Sequence, residues 1–232
     1  HEKSIDVIHS HHRYTTALVY FMNLIKSKKV KLLHTEHSVY SNKNLFNFRG
    51  NNIVAVSQMV KSNLIKNNVE SSKIEIIYNG VDNGSRSIRR LIDSNSHINI
   101  GVIARLSREK GHIYLFDAIS KIIKLGYDVS LSLIGDGVLK DELKAYCLEK
   151  KISARVNFLG DKSDIYDEIQ KYDFFILPSI QEGLPVSILE IMANGKIVIC
   201  TDVGGNKEII TNQVNGFIVK SKSSLELMNA MI

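Results

Sequence analysis

The chain is poor in the residues that mark several whole classes of protein. Its 232 residues include two cysteines, two prolines and no tryptophan. Two isolated thiols, Cys147 and Cys200, do not make a disulfide framework and read as buried thiols of a reducing compartment. Apolar runs such as DFFILPS and KIVICT fall far short of the roughly 18 to 20 residues that span a bilayer, which excludes a membrane helix. The opening HEKSIDVIHSHHR lacks a basic segment followed by an apolar one, so nothing in it points to export. No basic motif is interleaved with aromatics, and a pI of about 9.2 does not by itself make a nucleic-acid binder. Internal repeats and low-complexity tracts are missing too. What is present is 44% hydrophobic and 23% charged, the composition of a globular protein expected in the cytoplasm.

Charge is distributed unevenly. Residues 1–97 hold 14 Lys and Arg against 7 Asp and Glu, whereas residues 98–232 hold 16 against 17. A one-sided positive field suits an anionic partner such as a lipid head group, and a solvated lysine-rich face such as KSKKVK at 26–31 accounts for it equally well.

From Asn99 onward short apolar runs alternate with amphipathic stretches: INIGVIARL, HIYLFDAISKIIKLG, VSLSLIGDG, VLKDELKAYCLEKKI, VNFLG, DIYDEIQKY, DFFILPS, PVSILEIMANG, KIVICTD, NKEIITNQ, NGFIV and SSLELMNAMI. Runs that are apolar at successive positions are those of parallel strands covered on both faces, so this half predicts a doubly wound α/β sheet. Such sheets bind ligands at the carboxyl ends of their strands. The first half is also α/β, with strands in IDVIHSH, VKLLHTEHS, NNIVAVS and KIEIIYNGVD and helices in TTALVYFMNLIKSK and SQMVKSNLIKNN. Between them NGSRSIRRLIDSNSH, residues 83–97, is polar and without apolar period. The expected division is a partial N-terminal domain at 1–88, a linker at 89–97 and a C-terminal domain at 98–232. The chain opens on what reads as a later strand and stops within a helix, so the expectation is a fragment truncated at both ends.

The stretch PSIQEGLPVSILEIMANG, residues 178–195, contains both prolines. Pro178 closes a strand, and Pro185 suits the first turn of a helix, where a missing N–H matters least. Glu182 then falls in the loop at the strand's carboxyl end and Glu190 in the second helical turn. The amides around Gly183, Leu184, Pro185, Val186 and Ser187 open the helix, and a helix N-terminus favours an anion. Eight residues of helix rise by roughly 12 Å at most. That span suits a ligand with two polar ends and a phosphate between them, such as a nucleotide-sugar. In GVIARLSREKGH, Arg105 ends a strand and Lys110 precedes a helix, a pair of cations for a diphosphate. GDG at 135–137, which includes Gly135, permits a tight turn close to a ligand.

The ordered set HTEH, VAVS, YNGVD, GVIARLSREKG, LIGDG, VNFLG, PSIQEGLPVSILEIMANG and TDVGGNKEII resembles the retaining glycosyltransferases of family 4, from about Asp6 to the end. The resemblance implies the GT-B fold, two Rossmann-like doubly wound domains facing a cleft, here with the N-terminal one incomplete. It implies a sugar donor, most readily a UDP-sugar, and a saccharide or lipid-linked acceptor in surface polysaccharide or glycolipid assembly. It further implies no cofactor or metal, with peripheral contact at the inner membrane face. By it, Glu190 binds the nucleotide ribose, Glu182 contacts the transferred sugar, and Arg105 and Lys110 hold the diphosphate and stabilise it as it leaves. Leu159 and Gly160 meet the base, and His37 faces the sugar from the N-terminal domain. The family's opening strand and Gly-rich loop have no counterpart here, and the acceptor is chosen largely by that part.

Other readings compete. His1, His9, His11, His12, His34 and His37 form a possible ligand set for a metal-dependent hydrolase. A catalytically inactive nucleotide-sugar-binding module, and within the same fold an epimerase or a glycogen-type synthase, also remain.

Overall fold

The computed structural model describes residues 5–25, 29–39, 52–82 and 97–232. The chain divides into two compact units, His1–Asn79 and Gly80–Ile232. Residues 83–96, most of the expected linker, lie outside the described residues, as do Lys26 and Lys28 of the lysine-rich face.

The first unit holds a parallel sheet with the sequential order β1 (Val7–Ser10), β2 (Lys31–Glu36), β3 (Asn52–Ala55) and β4 (Ile74–Ile76). Parallel neighbours need crossovers. Helix α1 (Arg13–Ile25) lies between β1 and β2, and α2 (Gln58–Lys66) between β3 and β4. Ser57 caps α2, its hydroxyl accepting from the Val60 amide at 3.1 Å. Val60 and Leu64, one turn apart, are buried together with Ile53, Ala55 and Ile74 of the strands.

In the second unit the chain runs β5 (Ile98–Ile103), α3 (His112–Lys124), β6 (Val129–Ile134), α4 (Lys140–Glu149), β7 (Val156–Gly160), α5 (Ile165–Ile169), β8 (Phe174–Leu177), α6 (Val186–Ala193), β9 (Ile197–Thr201), α7 (Asn206–Ile209), β10 (Phe217–Val219) and α8 (Ser224–Met231). All six strands are parallel, in the order β7-β6-β5-β8-β9-β10. Starting at β5, the chain winds outward to β7, returns to β5's other side as β8, and winds outward again. That is the Rossmann order, with its topological switch point between β5 and β8.

The expected doubly wound sheet is present, and alternation along its strands shows why both faces are covered. Ile100, Val102, Leu131, Leu133, Ile176 and Ile199 join one apolar cluster with Leu115 and Phe116 of α3, Leu143 and Cys147 of α4 and Leu227 of α8. Ile134, Phe175, Leu177, Val198 and Cys200 join another with Ile169 of α5 and Ile188 and Ile191 of α6. The two thiols therefore belong to separate clusters, free and buried, and burial pushes each up to about 12.

The sheet's two halves join along a short seam. β5 and β6 share six registered pairs, whereas β5 and β8 share only Ile100 with Phe174 and Gly101 with Phe175. At Gly101 the Phe175 ring fills the space a Cβ would need. Among the described residues no helix is long and apolar enough to cross a membrane.

Candidate functional site

The loops that follow β5 and β8 emerge side by side because those strands are neighbours. Beyond β5 the chain makes a 3-10 turn at Arg108–Lys110 and then enters the left-handed region at Gly111, φ 65°. A Cβ on Gly111 would collide with the Pro178 carbonyl oxygen, so glycine lets the two loops close on each other. The Ile180 amide donates to the Glu109 carbonyl at 2.7 Å across the same junction.

This closure brings together residues 72 positions apart. Lys110 Nζ lies 2.6 Å from Glu182 Oε1, with side-chain exposures of 17% and 8%. The Ser179 hydroxyl donates to the same oxygen at 2.7 Å. A third loop, after β9, presses on the Glu182 backbone. Gly204 has φ 54°, and a Cβ there would strike the Glu182 carbonyl oxygen. The neighbouring Gly205 amide donates to the Gly183 carbonyl at 2.7 Å.

Helix α6 follows at once. Pro185 is its N-cap, at φ −72° and ψ 121°, so the helix begins at Val186, one residue after the position the sequence suggests. Gly183, Leu184 and Pro185 are buried, and Val186 is exposed. The first N–H groups of any α-helix find no acceptor within it, which gives this end its attraction for anions. Glu190 lies in the second turn, half-buried. Its carboxylate has no hydrogen-bond or ion-pair partner among the described residues, and burial raises its pKa.

The other expected residues of this unit are placed less decisively. Arg105 is 77% exposed and only loosely tied to Glu109, at 3.4 Å. Gly135, at φ 130°, sits where a Cβ would strike the Ala104 carbonyl, so strand packing already requires it. Ile134 pairs with Gly160, leaving Leu159 as an extra residue in β7, and the Leu159 side chain packs on the second apolar cluster. Gly160, at φ 68°, accepts from the Gly135 amide at 2.9 Å.

His37 belongs to the first unit. Its Nε2 shares a hydrogen bond with His11 Nδ1 at 2.9 Å, and burial followed by the neighbouring His11 lowers its pKa. His9 pairs with Thr35 at 2.7 Å and His34 with Thr16 at 2.7 Å. Glu36 between them is buried, which favours its neutral form. The neighbouring His34 ring, 3.6 Å away, and the Arg13 charge, 3.0 Å away, outweigh that and hold its pKa low. Among the described residues no three His, Cys, Asp or Glu side chains converge as metal ligands, and His1 of the expected set lies outside those residues.

Reading the sequence missed Ser179, Thr201, Gly204 and His112. Adjacent glycines in TDVGGN were the available signal for Gly204. His112, the first residue of α3, is 2% exposed, and neither ring nitrogen has a partner among the described residues.

A lysine, two differently placed carboxylates and a helix N-terminus thus gather at the switch point of a doubly wound sheet, the place where such sheets bind ligands. Comparison makes this specific. Residues 89–232 match the family described as Glycosyl transferases group 1, and residues 1–84 match Glycosyltransferase Family 4. The chain belongs to the group 1 glycosyltransferases.

Among its relatives is the Escherichia coli UDP-Gal:alpha-D-GlcNAc-diphosphoundecaprenol alpha-1,3-galactosyltransferase, 29% identical over 71% of this chain and 46% of the relative. Another is the Campylobacter jejuni N-acetylgalactosamine-N,N'-diacetylbacillosaminyl-diphospho-undecaprenol 4-alpha-N-acetylgalactosaminyltransferase, 30% identical over 80% of this chain and 54% of the relative. The crystal structure of Anabaena Alr3699/HepE in complex with UDP superposes with a TM-score of 0.79 at 25% identity, over 97% of this chain and 67% of that one. The chain thus spans about half the length of these two curated relatives.

Proposed function

We propose that the chain is the donor-binding part of a retaining glycosyltransferase. It uses a nucleotide-sugar, a UDP-sugar by analogy with the Escherichia coli relative and with the UDP-bound neighbour, and acts on a lipid-linked saccharide in surface polysaccharide or glycolipid assembly. The observation that carries this reading is the meeting of Lys110, Glu182 and the α6 N-terminus at the switch point, with the unpartnered Glu190 carboxylate further along the same helix.

In this reading the diphosphate takes the helix amides and Lys110. Nζ has three donors and uses one on Glu182. Arg105, loosely held, swings onto the phosphates. Glu190 accepts from the ribose hydroxyls, and Glu182 lies beside the sugar. Leu159 and Gly160 meet the base, and Gly135 lets the backbone approach.

Lys110 and the helix amides, fixed in advance, stabilise the departing diphosphate electrostatically with Arg105 joining them, and that role needs neither a cofactor nor a metal. The leaving phosphate itself accepts the acceptor's proton on the same face of the sugar, which retains configuration. Attachment to the inner membrane face comes from the basic first half.

Calorimetric titration of the chain with UDP, GDP, ADP and CMP, each with and without EDTA, tests the reading. UDP is expected to bind tightest and EDTA to change nothing. A large loss on chelation, restored by Mg²⁺, refutes the metal-free assignment, and binding of none of the four refutes the donor site.

A further inference from the structure

Two donors converge on one oxygen of Glu182. Lys110 Nζ stands 2.6 Å and Ser179 Oγ 2.7 Å from Oε1, while Oε2 has no partner among the described residues and is not among the sealed, unsatisfied buried atoms. Ser179 is fully buried. Its carbonyl accepts from the Thr201 hydroxyl at 2.5 Å and from the Ser221 hydroxyl at 3.3 Å. The Glu182 backbone is pressed from the other side by Gly204, and the adjoining Gly183 carbonyl is held by Gly205. With the main chain clamped on both sides, the side-chain torsions are what remain to be set.

An ion pair so little exposed is a poor device for stability, because desolvation consumes most of the Coulombic gain. It is a good device for direction. We propose that Ser179 is a positioning residue for Glu182, holding Oε1 so that Oε2 is presented to a hydroxyl of the donor sugar.

The need for it appears when a diphosphate arrives. Phosphate draws the Lys110 ammonium and repels the Glu182 carboxylate. An uncharged, buried hydroxyl responds to neither, so Ser179 keeps the carboxylate where the sugar meets it. Its contribution is therefore larger with a sugar nucleotide bound than with the bare diphosphate, which a purely structural serine would not show. The inference rests on the donor-site reading above.

The test is calorimetry on the full 232-residue chain, using UDP and whichever of UDP-glucose, UDP-galactose and UDP-N-acetylglucosamine the wild type binds best. Ser179→Ala is expected to keep UDP affinity within about twofold and to weaken the UDP-sugar about tenfold, the loss of one hydrogen bond to a charged group. In a Glu182→Ala background the same substitution is expected to add nothing further. Equal loss for both ligands, or an undiminished effect in the Glu182→Ala background, overturns the inference.

Glu182→Gln guards against a Ser179 variant that does not fold. With its carbonyl oxygen kept by Lys110 and Ser179, the amide NH₂ replaces Oε2 and turns an acceptor into a donor. UDP-sugar binding is then expected to weaken while UDP binding holds, and wild-type UDP-sugar affinity in this variant overturns the inference. A wild type that binds no UDP-sugar and no UDP fails the donor-site reading itself, whereas a binding wild type with unaltered variants fails only the role of Ser179.

Discussion

At the scale of single residues the two glutamates of the site are in unlike states. Glu190 is half-buried without a counter-charge, and its pKa is raised by burial alone. In the proposed function ribose hydroxyls supply the donors it lacks, so Glu190→Ala is expected to remove charge-assisted bonds of about 1.5–3 kcal/mol and to lower UDP affinity about 10- to 150-fold, as calorimetry reads. Glu182 already neutralises Lys110, so Glu182→Ala is expected to bind UDP no more weakly than the wild type.

His112 gives a separate pH signature. Burial, then the neighbouring Lys110, lowers its pKa from 6.5 to about 4. The unfolded chain takes up that proton below about pH 6.5 and the folded one does not, so stability is complete above 6.5 and declines as pH falls toward 4, by about 3 kcal/mol in all. Urea midpoints followed from pH 6.5 to 5, before most carboxylates titrate, are expected to fall in the wild type and to fall less in His112→Gln, where the lowered pKa values of His9 and His37 still act.

At the scale of elements, strands and helices were legible because parallel, doubly covered strands leave continuous apolar runs. VSLSLI, FFIL and IVICT became β6, β8 and β9. Glu182 and Glu190 were legible through the prolines and apolar helix around them. The Lys110–Glu182 contact was not, because only the sheet order makes residues 72 apart neighbours. Arg105 read as an equal of Lys110, yet one is open to solvent and the other half enclosed. A sequence pattern does not encode that difference.

The loop-closing glycines can be tested against each other. Gly111 and Gly126 both have positive φ, which costs about 1–2 kcal/mol in a residue with a Cβ, but at Gly126 nothing lies within 4 Å of one. Gly111→Ala is therefore expected to lower the thermal midpoint clearly more than Gly126→Ala, the excess measuring the collision with Pro178.

At the scale of the whole molecule, charge and site belong to different units. The basic first half includes the exposed Lys29 and Lys31. If it meets anionic lipid, each cation near the surface adds about 1 kcal/mol. Liposome co-sedimentation is then expected to rise with the fraction of anionic lipid and to fall with salt, and equal recovery on neutral vesicles rejects membrane attachment through this face.

The two-pair seam between β5 and β8 has a consequence for motion. Those two ladder pairs, ring against glycine, make a shorter hydrogen-bonded join than the six between β5 and β6, although both apolar clusters cross it, so local opening is expected to be easier along the β5–β8 edge than along β5–β6. Lys110 lies on the β5 side of that seam and Glu182 with α6 on the β8 side, so the nucleotide of the proposed function would bridge it. Saturating UDP is accordingly expected to slow amide deuterium uptake along β8 and the facing edge of β5 more than along β6 and β7, so that occupancy of the crevice is written into the exchange rates of strands the ligand never touches.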